Sequence, residues 1–210
     1  MVDTETKGRI EIYFVRIVGT RPLLMNAPTG LNEKRRRSEL PEPEEEAMRA
    51  LYRDGDIIVV PSVNIKAMIR DAGRNYRVPQ RKATYAAYIK AGIDIEPSPY
   101  VPLLDPTTNK PYRVSERKWS IDIRPVRVQN ARILRARPRF DKWALEFKII
   151  NLDPGILQRD MVKRILIDAG NFYGLGDYRP EFGRFRVEKF EVEKEIVKER
   201  PLSLLGYSEE

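Results

Sequence analysis

Between positions 64 and 92, seven basic residues (Lys66, Arg70, Arg74, Arg77, Arg81, Lys82 and Lys90) stand against the single acid Asp71. From 113 to 148 a second block sets eleven basic residues against four acidic ones, and Arg135, Arg137 and Arg139 alternate with smaller residues there. Clustered cations of this kind break no bonds; their chemistry is the neutralisation of phosphates, each contact releasing counterions. Tyr76, Tyr85 and Tyr88 fall inside the first block, and sequence-neutral single-strand binders pair a cationic track with rings on which bases stack. The spacing of four in Lys66, Arg70 and Arg74 suits a ridge along a phosphate backbone and equally a solvated helix face. Each tyrosine reads as a base platform or as core and rim.

The stretch GNFYGLGDYRPEFGRFRV, residues 170–187, adds four glycines and three arginines. A phosphate loop of the dinucleotide type runs strand, glycines, helix. Here an apolar-periodic segment at 156–169 precedes the glycines, and alternating FRVEKFEV, 185–192, follows them. No Gly-Lys-Ser/Thr occurs in the chain, so a nucleotide cofactor is not expected. Two readings stand: Gly170 ends the helix and the rest is a tight connection, or the loop lies against a ligand with Tyr178, Arg179 and Arg184 pointing outward.

The chain has no histidine and no cysteine. That removes the usual general base, thiol catalysis and sulfur-ligated zinc. Asp122 and Asp177 read as a strand surface charge and a loop-capping side chain rather than as catalytic acids. We therefore expect no enzyme activity, no cofactor and no metal. A net charge of +8 and a pI near 9.6 over 210 residues favour an anionic partner. No run approaches the length of a membrane span, and residues 1–7 lack a signal-peptide pattern, so a cytoplasmic protein is expected. One third of the residues are charged and proline is frequent, a composition that suits a thermophilic source.

Alternation and β-branching predict a strand over 8–18 continuing toward 23–25. A long polar stretch follows, with the basic run Lys34, Arg35, Arg36 and Arg37 and the acidic run Glu44 to Glu46; its first part reads as a mobile loop and its end as the first turn of a helix through Tyr52. A short buried strand at 56–62 leads to a helix over 63–74 capped by Ser62, and 83–92 reads as a second helix. Strands are expected at 119–128 and 131–138, with 143–150 returning as the hairpin partner of the latter. The order is compatible with an α+β, ferredoxin-like or RRM-like antiparallel sheet with helices on one face. It reads as one domain over 1–210, with an insertion loop at about 27–46 and a central insertion at about 76–130.

At VPSVNIKAMIR, 60–70, and GLGDYRPEFGR, 174–184, the chain resembles the RAMP superfamily, the RRM-like backbone subunits of CRISPR effector complexes. The C-terminal pattern is also similar to proteins of prophages and archaeal mobile elements. The resemblance implies single-stranded nucleic acid held along a groove formed by the insertion loop and the helix of Lys66 and Arg70, and head-to-tail assembly into an oligomer or filament. Cutting members of that superfamily use an aspartate in the insertion loop, whereas 27–53 contains glutamates and no aspartate. The segment Phe185 to Phe190 lacks the glycine of the RNP1 octapeptide, so a stacking platform on the sheet is not expected. The expected partner is single-stranded RNA or DNA, with Arg35 to Arg37, the 66–82 block, the 135–139 arginines, and Tyr178, Arg179 and Arg184 as contacts. The competing expectation is a structural or assembly protein of a virus or mobile element whose basic surface meets a partner protein.

Overall fold

The computed structural model describes residues 8–28, 42–128 and 131–198. In chain order, β1 (Gly8–Gly19) and β2 (Leu23–Leu24) precede α1 (Pro43–Arg49), β3 (Arg53–Asp54) and β4 (Ile57–Pro61). Next come α2 (Ser62–Gly73), α3 (Tyr85–Gly92), β5 (Ile93–Glu96) and β6 (Tyr100–Pro102). The last part holds β7 (Ser120–Val128), β8 (Ala131–Phe140), β9 (Ala144–Asn151), α4 (Arg159–Asp168), a π-helical turn at Ala169–Tyr173, and β10 (Phe185–Lys198). The protein is thus a mixed α+β structure built on small antiparallel sheets.

The main sheet runs β10-β1-β9-β5, with every pairing antiparallel. β1 is central because its alternate residues Tyr13, Val15 and Ile17 are fully buried. On the same face lie Leu145, Phe147 and Ile149 of β9 and Ile93 and Ile95 of β5, in one core with Ile65, Met68 and Ile69 of α2 and Val162, Ile165 and Leu166 of α4. The opposite face is polar. Arg16 holds Glu188 at 2.7 Å, Glu146, and the Asn109 side chain at 2.6 Å, and Lys148 meets Glu193 at 2.7 Å.

Three local expectations change. Residues 144–151 do not pair with 131–138; β9 inserts between β1 and β5, and β8 pairs with β7 and β2. Its alternating burial demands a covered face, which only the main sheet offers. The stretch 76–130, expected as an insertion, supplies β5 to that sheet, because Ile93 and Ile95 alternate with exposed Asp94 and Glu96. Ser62 is not a side-chain cap of α2: its N–H bonds the Pro99 carbonyl at 2.9 Å and its hydroxyl faces Ser98.

Two buried phenols tie the layers. The Tyr13 hydroxyl donates to Glu11 at 2.5 Å and accepts from Asn151 at 3.2 Å; Tyr112 donates to the Lys142 carbonyl at 2.9 Å. Burial first, then the Glu11 hydrogen bond, pushes the Tyr13 phenol up to about 12. Burial first, then the charge of Asp105, pushes Tyr112 up to about 12. A folded-state value raised above the unfolded one means that this stability is complete below the unfolded pKa, roughly 10, and is lost as pH rises toward 12. The urea midpoint should therefore fall between pH 9 and 11, and Tyr112→Phe should fall less steeply than the parent; parallel curves would remove Tyr112 from the effect.

Candidate nucleic-acid interface

The glycine loop is a clamped structure whose path is fixed from both sides. After α4 the helix does not stop at Gly170. It widens into the π-helical turn, and the chain reverses at Gly174, φ +75°. Gly170 is there for close approach instead: a Cβ would lie 2.4 Å from the Phe185 carbonyl oxygen. Asp177 N–H donates to the Leu24 carbonyl and Gly183 N–H to that of Pro22, each at 2.8 Å, so the loop is laced to the β2 segment. Leu175 N–H closes it on the Gly183 carbonyl at 2.9 Å. At Gly183, φ +74°, a Cβ would be 1.7 Å from the Leu175 oxygen, so no other residue fits there.

The β7–β8 hairpin holds the other side. Antiparallel register puts Asp122 opposite Arg137 and Arg124 opposite Arg135 on one face. Arg137, only 8% exposed, forms an ion pair with Asp177 of the loop. Arg124 forks onto Asp122 at 2.5 and 3.1 Å, while its guanidinium lies 4.6 Å from the Phe182 ring centre and 5.4 Å from that of Tyr178. Asp122 is itself 8% exposed and also meets Arg139 at 3.9 Å. Neither acid has the role read from sequence: Asp122 is a buried anchor rather than a surface charge, and Asp177 is an ion-pair partner.

The expected contacts separate into tied and free groups. Arg135 pairs with Glu46 at 2.7 Å and Arg139 with Asp141 at 2.7 Å. Lys66 reaches away to Asp94 of β5 at 3.0 Å, and Arg70 and Arg74 share Asp71 at 3.0 and 3.5 Å. Arg81 donates to the Tyr88 hydroxyl at 2.8 Å and Arg184 to the Pro180 carbonyl at 3.0 Å. Tyr85 is core; Tyr76 donates to Asp168, a hydrogen bond that raises its phenol pKa, with Arg164 over its ring. Arg77, Lys82 and Arg179 are exposed and have no side-chain partner among the described residues. Arg35, Arg36 and Arg37 lie outside the described residues, as does most of the 27–46 stretch.

Around Arg179 the loop meets α2. Asn64 and Ala67 of α2, Leu23 of β2 and Met25 just after it, and Gly176 and Arg179 line one cavity. Asn64 went unnoticed in the sequence because an amide carries no charge signal. Arg124 was visible only as one cation among eleven, although its alternation with Asp122 marks a shared strand face.

No family model and no curated protein matches the chain. Among solved structures it is similar to a chain of a Type III-B Cmr-beta complex, determined by cryo-EM with cognate target RNA bound, at a TM-score of 0.46 and 10% identity. The similarity covers 88% of this chain and 61% of that one. Among the described residues no group of three or more potential ligands is placed to hold a metal ion, and no helix is long and apolar enough to cross a membrane.

Tyr178 is the strained point of the loop, with φ +57° and 41% exposure. A left-handed conformation costs a residue with a Cβ about 1–2 kcal/mol, and contacts to Arg124 and Phe182 offset it here. Tyr178→Ala loses the contacts and keeps the strain; Tyr178→Gly loses the contacts and the strain together. Chemical denaturation should accordingly find the glycine variant about 1 kcal/mol more stable than the alanine variant. Equal stabilities would contradict the strained conformation.

Proposed function

We propose that this chain is a RAMP-like, RRM-like subunit that holds single-stranded nucleic acid without cutting it, with little sequence preference. Copies add head to tail along the strand. Support for the ferredoxin-like plan comes from the order of the main sheet, last strand, first, third, second, together with the β-α-β-β-α-β sequence of its elements. The observation that carries the functional reading is the rigid glycine loop, which holds Tyr178 and the unpaired Arg179 outward beside α2. A ring and a cation on a fixed backbone are the two ingredients of sequence-neutral strand binding. Arg77 and Lys82, beyond the C-terminal end of α2, are further exposed cations.

The polar face of the main sheet supports the same assignment by elimination. Its ion pairs occupy the area where an RRM presents stacking rings, and Phe14 there lies under Lys189 at 5.3 Å. Phe185 is buried and Phe190 stacks on core Tyr13 at 4.9 Å. A strand is therefore assigned to the loop side. For a partner-protein role, the favouring observation is the exposed apolar set Ile121, Ile123 and Leu134 on the hairpin.

Anisotropy titrations of labelled single-stranded RNA, single-stranded DNA and duplex at several salt concentrations test the proposal. With six phosphate contacts the slope of log K against log salt should be about −4 for single strands. Tyr178→Ala with Arg179→Ala should weaken binding by about 1–3 kcal/mol and flatten that slope. Salt-independent affinity, or none at low salt, would reject the reading. Unchanged affinity for a strand with a smaller assembly would transfer the loop to a subunit interface.

A further inference from the structure

The cavity beside the glycine loop has a volume of about 190 Å³. Each water takes roughly 30 Å³ in the liquid, so the space is too large for one bridging water. It is also below the several hundred Å³ of pockets that enclose a whole cofactor-sized ligand. One ring system is the matching size.

Its chemistry is divided in the way a nucleobase requires. Leu23, Met25, Val60 and Leu175 are buried and supply apolar walls for the faces of a flat ring. Asn26 and Asn64 also line it, and no hydrogen bond engages the side-chain amide of either among the described residues. An amide offers donors and an acceptor together, so it complements the mixed edge that every base presents. The one carboxylate in the lining, Asp177, is bound to Arg137; it does not hold the cavity for a cation. Arg179 is the only cation in the lining and has no ion-pair partner among the described residues. That places a positive charge beside the ring, where the adjoining phosphate of a nucleotide would lie.

From this we infer that the cavity between the glycine loop, β2 and α2 receives one unstacked base of a bound strand, with Asn26 and Asn64 at its polar edge. The inference rests on the strand-binding function proposed above and adds a specific seat to it. Leaving the stack costs a base a few contacts, which the apolar walls replace. Because two amides complement every base edge in part, the seat requires a base without selecting one strongly.

Two probes separate the seat from the strand. The first is a twelve-nucleotide single strand with 2-aminopurine at successive positions, whose fluorescence rises when the base leaves its neighbours. The second is adenosine or uridine monophosphate, followed by the methyl resonances of Met25 and Leu175. The parent should show a rise at one position of the strand and millimolar, saturable methyl shifts with either mononucleotide. Ala67→Trp, which fills the cavity, should abolish both and weaken strand binding about tenfold, with the salt slope unchanged; Asn64→Ala should reduce both and serves if the tryptophan variant does not fold. Methyl shifts without any strand binding would keep the seat and reject the strand reading. Strand binding of equal affinity and fluorescence in parent and variants, with no methyl shifts, would overturn the seat and leave the strand reading intact. Absence of both signals would reject both.

Discussion

The ion pair between Arg137 and Asp177 is the constraint around which this surface is organised. It is largely buried, and removing one partner of such a pair leaves an uncompensated charge costing about 3–5 kcal/mol. Arg137 comes from the middle of a strand and cannot follow a wandering loop. The loop must therefore keep one path, already set on its other side by backbone hydrogen bonds to Pro22 and Leu24. Glycine at 183 is a result of that confinement, and so is the tolerated strain at Tyr178. The hairpin is oriented by the same tie, since Arg124, one step along its face from Asp122, reaches Phe182 and Tyr178 from the neighbouring strand.

The main sheet directs function away from itself. One face is consumed by the helices and the core. The other is crossed by two ion-paired sets, Arg16 with Glu146 and Glu188, and Lys148 with Glu193, with the Asn109 side chain drawn onto Arg16. Uncovering those charges for a base would break several short contacts and offer little aromatic area in return. What remains is the rim where α2, the β2 segment and the loop converge.

Much of the scaffold could be read from alternation: β1, β4, α2, β7 and β10 all declared themselves through apolar spacing, and the acidic first turn marked α1. Pairing could not be read. The 144–151 strand was adjacent to 131–140 in sequence, yet its alternating burial took it into the main sheet, a choice that only long-range packing makes. The charge count was legible but its availability was not, because Lys66, Arg135 and Arg137 meet acids far along the chain. The glycine loop stood out at once, and Tyr178 and Arg179 at its apex were named from sequence. Asn26 and Asn64 were silent, since their meaning comes from the cavity they share.

The pairing of so many arginines changes how a partner first meets this protein. A formal charge of +8 suggests a broad field that would draw a polyanion in from a distance. Most of the guanidinium groups on the hairpin and α2 instead form compact dipoles with carboxylates a few ångströms away, and the field of a dipole fades faster than that of a lone charge. Pairing leaves the net charge unchanged, but among the described residues it moves the uncompensated part onto the cations that have no carboxylate partner, and a screening length of about 8 Å in physiological salt makes each felt mainly at close range. The speed of association then follows where those uncompensated cations sit as well as the overall basicity of the chain.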